Sequence, residues 1–314
     1  MHMKTKIKKM RIVLNLLGCN DLKIFKFFAC FLAINFFFIA PSYTKTETKK
    51  TKDWSIEPQE KKWLEKFFSD IMLQESGIYS LLGSKPLTMI VLDLTPEEKI
   101  REIVDQMSEE EKKEFISWDT HYDLPENWQK WEKISSRYPI RNYLLFKKSR
   151  KDDPLFEDIY FINIRETAFV IEENYDLFKR FIIDDFDPLE VVFEIGDERS
   201  TFWNTVVHNS TLLGILFGFG RKNSQCFDWK YWSLPENNEP MRSFTDSLRS
   251  TFSSNIKDFK TISIGHFGLP CFASFSPKGK DEVIKKYENE RKMIQKHYKK
   301  KDFVIETLKK LTSE

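Results

Sequence analysis

Apolar positions along the chain fall into blocks whose spacing changes from helical stripes to short continuous runs and back. Trp63, Leu64, Phe67, Phe68, Ile71 and Met72 recur at helical spacing, with Ser55 as the expected N-cap and Pro58 in the first turn. A short apolar stretch over 78–82 is bracketed by Gly77 and Gly83, and residues 87–94 read as a strand or an extended connector. Thr95, Pro96, Glu97 and Glu98 form a helix start, followed at helical spacing by Ile100, Ile103, Val104 and Met107. Ser108 restarts the capping signal toward Trp118, and a further helix is expected over 125–136 with Trp128 and Trp131. The period then changes. Residues 143–147 and 159–164 read as two strands of a hairpin around a polar turn at 151–154. Helical spacing returns over 165–183, where Phe169, Val170, Tyr175, Phe178 and Phe181 are expected to face inward. Asp187 and Pro188 open a short helix ending near Gly196.

The stretch 203–231 is the predicted centre of the body. Residues 212–219 are apolar on every side of a helix, which marks either a membrane span or a buried core. So short a run does not cross a bilayer, so the core reading is preferred. Gly214 and Gly218, four apart, leave room for a neighbouring backbone; in lipid the same spacing is a dimerisation signal. Polar flanks at Asn209, Ser210 and Thr211 and from Arg221 onward favour packing within the protein. Beyond it, a helix is expected over 243–259, short strands over 261–267 and 271–275, and a long helix from Ser276 and Pro277 to about residue 300. Val283, Tyr287, Met293, Ile294 and Tyr298 form the apolar side of that long helix, and 303–311 closes the chain. The fold class is mainly α (α+β at most): a multi-helix globular body with a few short strands, after an N-terminal apolar leader helix.

Composition supports a large core: 41% of the 314 residues are hydrophobic and 29 are Phe. Only 10 Gly and 12 Pro disfavour a turn-rich sandwich or barrel. The formal charge of +2 hides an asymmetry, because residues 1–52 carry 11 Lys and Arg against 2 Asp and Glu. Residues 53–314 carry 39 against 46, a net of −7. An acidic body argues against binding along a phosphate backbone, so no nucleic acid partner is expected.

The basic excess sits in a leader. Lys4, Lys6, Lys8, Lys9 and Arg11, then Lys23 and Lys26, precede an apolar block over 27–40, the order of an export signal. As a helix the block spans about 21 Å, short of a hydrocarbon core of roughly 30 Å. Residues 1–42 are therefore read as an export signal or membrane anchor, 43–54 as a polar linker, and 55–314 as the body. If the leader is not cleaved, 27–40 makes membrane contact, with flanking lysines reaching the interface. A third reading is a lipoprotein box at Leu16, Leu17, Gly18 and Cys19. The expected location is exported, or anchored at the inner membrane by the N-terminus.

Candidate chemistry is sparse. Four Cys and five His show no zinc-type spacing, and no metal or cofactor is expected. His208 lies near Ser210, with Cys226 further on; on one continuous helix 208 and 226 are about 27 Å apart and meet only if it breaks. His266 and Cys271 flank Gly268 and Pro270, a loop of the kind that carries thiol chemistry, without the sequence context of a known nucleophile elbow. Cys226 and Cys271 are either a disulfide or two free thiols. Asp184, Asp185, Asp187, Glu190 and Glu194 form an acidic cluster best explained by a helix start, whose dipole they complement. Arg221 and Lys222 either grip an anion or face water. Gly83, Ser84, Lys85 and Pro86 read as a plain turn, lacking the spacing of a phosphate loop. Trp203, Trp229 and Trp232 fill the core or line a partner surface.

Residues 75–86 (ESGIYSLLGSKP), 173–178 (ENYDLF) and 200–223 (STFWNTVVHNSTLLGILFGFGRKN) resemble a family of proteins of chlamydia-like intracellular bacteria. The resemblance runs from about residue 60 to the C-terminus and implies a bacterial, exported product; it implies no activity, cofactor or catalytic residue. The functional expectation is a non-enzymatic exported interaction or structural protein, host-directed or not, with a protein partner. The alternative is a hydrolase or thiol-dependent enzyme using His266 and Cys271, or His208.

Overall fold

The computed structural model describes residues 55–96, 98, 99, 102, 105, 106, 108, 123–150, 153–231, 251, 252, 262–277 and 279–313. Residues 1–54, the expected leader and linker, and most of the expected helices over 97–118 and 243–259 lie outside the described residues; of the latter only Thr251 and Phe252 are described, and they form a strand, not a helix. Helix α1 (Pro58–Phe68) begins behind Glu57 rather than Ser55, with its proline in the first turn, where the missing N–H costs nothing. Its buried stripe Leu64, Phe67 and Phe68 runs on through one π-helical turn, Ser69–Gln74, which buries Ile71, Met72 and Leu73. The apolar stretch between the glycines becomes α2 (Ile78–Leu82).

The run at 87–94 is a strand, β1 (Leu87–Asp93). After α3 (Leu124–Ile134) come β2 (Tyr143–Ser149) and β3 (Phe156–Asn163), the predicted hairpin. Both β1 and β2 pair antiparallel with β3, giving the order β1-β3-β2 with Ile90 opposite Ile159 and Phe146 opposite Tyr160. Side chains alternate between the faces. Leu87, Tyr160 and Ile162 enter the main core, while Phe161 lies on the other side, stacked on Tyr143 at 5.5 Å. The Tyr143 hydroxyl donates to the Leu81 carbonyl at 2.8 Å and so ties that face to α2. Phe67 stacks on Trp131 at 5.5 Å and meets Trp128 at 6.1 Å, joining α1 to α3.

The expected single helix over 165–183 is two, α4 (Ile164–Glu173) and α5 (Tyr175–Phe181), divided at Asn174. Phe178 is fully buried as expected, but Phe169 is 51% exposed and Phe181 47%. The reason is angular: α4 buries Thr167 and Ile171, and Phe169, two residues from each, points about 200° away from them. Phe181 ends α5, where the chain leaves the core. Helix α6 (Glu190–Phe193) is a single turn continued by a 3-10 turn to Gly196.

The stretch 203–231 is not one helix. It is three: α7 (Thr201–Val207), α8 (Ser210–Leu216) and α9 (Arg221–Tyr231). Ser200 and Asn209 cap the first two by accepting from the N–H groups of Trp203 and Leu212. The turn before α9 uses Gly218 and Gly220, both left-handed at φ of 78° and 77°. Of the predicted glycine pair only Gly214 is helical, and a methyl there would lie 2.7 Å from Ser224 Oγ on α9. Leu212, Ile215 and Leu216 are buried in the main core, as the all-round apolar pattern predicted.

A two-residue strand, β4 (Thr251–Phe252), pairs with β5 (Ala273–Ser274). The strand expected over 261–267 is instead a turn closed by a bridge between Ser263 and His266. Helix α10 (Glu282–Tyr298) starts later than expected, at Asp281. Met293, expected on its apolar side, is 61% exposed. The Asp281 carboxylate accepts from Val283 N, Ile284 N, Asn223 Nδ2 and Ser274 Oγ, and so joins α10, α9 and β5. Burial pushes its pKa up, and those four donors together outweigh burial and hold it below the usual carboxylate value. Helix α11 (Phe303–Thr312) closes the chain.

The fold is α+β and mostly helical, with one small three-stranded sheet. Residues 55–314 form one compact unit, and among the described residues no helix is long and apolar enough to cross a membrane.

Candidate functional site

The sequence candidates for catalysis do not converge in a hydrogen-bonded set. His208 is the exposed C-cap of α7 and His266 is exposed in its turn; among the described residues neither imidazole makes a hydrogen bond or ion pair. Ser210, beside His208 in sequence, instead donates from its hydroxyl to Asp228 of α9. The helix breaks that a meeting of His208 and Cys226 requires are present, but Cys226 is buried on α9, where burial raises its thiol pKa and keeps it protonated. Cys271 is exposed, and no disulfide joins it to Cys226.

The remaining candidates find structural partners. Arg221 pairs with Asp176 at 3.3 Å, and Lys222 donates to Ser276 Oγ at 3.1 Å. Ser84 donates through its hydroxyl to Glu290 Oε1 at 2.6 Å. Lys85 turns into the interior, is 5% exposed, and donates to Thr88 Oγ1 at 2.6 Å. That turn therefore offers no cationic head to a phosphate. Trp203 is buried, and its indole N–H donates to the Val191 carbonyl at 2.6 Å.

That last bond anchors α6, and α6 carries one wall of a cleft. Asp187 accepts from Leu189 N at 2.8 Å and Glu190 N at 3.0 Å in the turn that leads into α6, and Glu190 stands in its first turn, consistent with the helix-start role expected of the acidic cluster. The same cluster does more than cap. Together with Ile182, Phe186, Val191 and Phe202, its five acids line a cavity of about 370 Å³. The floor is apolar: Phe186 lies 5.0 Å from Phe202 and 4.8 Å from Tyr175, ring to ring. The rim is carboxylate. Glu194 accepts from Ser200 Oγ at 2.8 Å, and Asp185 from Lys179 Nζ at 2.9 Å. Lys179 also donates to the Ile183 and Asp184 carbonyls at 2.9 and 3.1 Å, drawing the loop together. Its bond to Asp185 raises the lysine pKa and lowers that of the acid. The carboxylates of Asp184 and Glu190 have no such partner among the described residues.

In the same stretch of chain, large apolar side chains face water. Ile183 is 93% exposed and Phe193 58%, with Leu189, Phe181 and Phe169 near half. Leu189 and Phe193 are four residues apart, as are Glu190 and Glu194, so an apolar stripe runs beside an acidic one. The charge is concentrated in the same place. Residues 164–207 hold 11 Asp and Glu against 4 Lys and Arg, a net of −7, which equals the excess of all residues 53–314.

Sequence reasoning found the acids and missed the aromatic residues beside them. The signal lay in Ile183, Leu189 and Phe193, apolar residues in the stretch richest in acid. A second, larger hollow, between the start of α1 and α3, measures about 710 Å³; its lining mixes both signs of charge, with Lys130 paired to Glu126 at 2.8 Å and Glu60 to Arg137, outside the lining, at 2.7 Å. Among the described residues no group of His, Cys, Asp or Glu is placed to hold a metal ion.

No family model, curated protein or solved structure matches the chain, so the reading of the site rests on its own geometry.

Proposed function

We propose that this chain is a non-enzymatic interaction protein, exported by a bacterium, whose working surface is the acidic, apolar-studded face formed by α4 to α7. One observation carries the reading. Of the large apolar side chains exposed on the described body, Phe169, Phe181, Ile183, Leu189, Phe193 and Val207 lie in the 44 residues that also carry its whole negative excess. Single exposed apolar residues are ordinary, whereas a group of them rimmed by charge is the pattern of a binding surface. A protein partner fits better than a membrane, because the acids repel anionic lipid. The order of residues 4–40, basic and then apolar, supports export.

The test compares partners held by the full chain with those held by the triple variant Phe181→Ser, Leu189→Ser, Phe193→Ser. All three side chains are half-exposed, so the variant is expected to melt like the parent and to lose its partners. An unchanged set of partners would remove this surface from the reading. The rival enzyme is tested by thiol- and serine-directed probes: labelling abolished by changing Cys271, His266 or His208 alone would establish it.

A further inference from the structure

Resting on that reading, we infer that the cleft between the 182–187 loop, α6 and the start of α7 accepts an arginine side chain of the partner polypeptide, with an apolar neighbour seated on Leu189 and Phe193. The size comes first. At 370 Å³ the cavity is at the lower end of ligand sites, which run from about 300 to 1,000 Å³, so it holds one or two side chains rather than a large molecule.

The lining then selects the chemistry. Phe186, half-buried and backed by the buried ring of Phe202, offers aromatic surface to an aliphatic stem and to a planar cation above it. At the rim, the Glu190 carboxylate has no hydrogen bond or ion pair among the described residues, the Asp184 carboxylate feels Lys179 only through its charge, and Asp187 receives two backbone N–H groups on one oxygen and leaves the other. A guanidinium matches this arrangement on both counts, since it stacks flat on rings and binds carboxylate through two parallel N–H donors. An ammonium matches only the charge. The site also already holds one cation: Lys179 reaches the loop from its own helix and hydrogen-bonds Asp185 and two carbonyls, while the Asp184 carboxylate receives no hydrogen bond from it and Glu190 none at all. The surplus charge of the rim therefore awaits a cation from outside. The stripe of Leu189 and Phe193 beside Glu190 and Glu194 extends the match to a segment that alternates apolar and cationic groups.

The experiment titrates the full chain by calorimetry with three blocked peptides of one sequence, Leu-Arg-Ala-Leu-Arg-Leu, carrying arginine, lysine or citrulline at the two cationic positions. Zwitterionic and anionic vesicles serve as the membrane arm. The arginine peptide is expected to bind at least about tenfold more tightly than the citrulline peptide, and more tightly than the lysine one. The double variant Asp184→Asn, Glu190→Gln should lose most of that preference while melting no lower than the parent. Equal binding of the arginine and citrulline peptides, abolished by the triple serine variant, overturns the arginine site and leaves the broader surface standing. Binding unaffected by the serine variant overturns both. Absence of binding to all three peptides, or binding to vesicles in their place, overturns the arginine inference.

Discussion

Lys85 shows how far a side chain's setting departs from its sequence context. Beside Gly83 and Ser84 it reads as a turn residue, yet its ammonium is buried against Thr88, which in turn lies 3.1 Å from the Ser80 hydroxyl. Burial is the main cause of a pKa lowered from 10.5 to about 7. The sign of the pH effect follows. Between those values the unfolded state holds the proton that the folded state has released, so stability rises with pH across the window, and the cost is full below it. Replacing Lys85 with Met should stabilise the protein at pH 7 by about 1–3 kcal/mol, with Ser80 and Thr88 still bonded to each other. The gain should shrink toward about pH 10, where the lysine is neutral in the folded state and increasingly so in the unfolded one. Urea melts at several pH values check this; a gain independent of pH would show that the ammonium is not desolvated.

At the scale of elements, the stretch 203–231 was legible in composition and not in shape. The apolar residues from Leu212 to Leu216 announced a buried helix, and they are buried. The breaks were written in Asn209 and in Gly218 and Gly220, residues that cap helices and adopt left-handed backbone, but a run of apolar residues between them hides such signals. Gly214 is where the resulting pair of helices touches most closely. Ala at this position would put its methyl 2.7 Å from Ser224 Oγ and 3.0 Å from Ser224 Cβ, forcing α8 and α9 apart. A loss of about 1–3 kcal/mol is expected, of the size that overpacking costs. Adding Ser224→Gly should recover part of it, so the two changes combine non-additively in denaturant melts. A strictly additive result would place the strain elsewhere.

At the scale of the whole molecule, the acidic face is expected to cost stability until something covers it. Like charges gathered on one side repel each other, and salt screens them over about 10 Å at 0.1 M and about 3 Å at 1 M. The double variant Asp184→Asn, Glu190→Gln should therefore melt above the parent at low salt, and the difference should fade as salt approaches about 1 M. Thermal melts over a salt series measure it. A variant that melts lower at every salt concentration would mean the two carboxylates hold the fold together, not that they wait for a partner.

By itself the sequence determined the local patterns: helical stripes in α1, α3 and α10, short apolar runs on either side of a polar turn in the β2–β3 hairpin, and a basic excess over 1–52 ahead of an acidic remainder. It also marked 212–216 as interior, because an apolar run without a polar side has no solvent face to offer. The inward direction of each stripe was settled only by tertiary structure. Phe169 and Phe181 belong to an apolar pattern that reads as buried, and long-range packing gave the core positions of α4 to Thr167 and Ile171 instead, while Phe178 kept the buried place expected of it. The cleft likewise exists only in three dimensions. Its floor joins Phe186 to Phe202, sixteen residues on, and its rim gathers acids from a loop and from α6. A period along the chain defines which residues share a face, but the choice of the face that meets water depends on what the rest of the molecule packs against the other side.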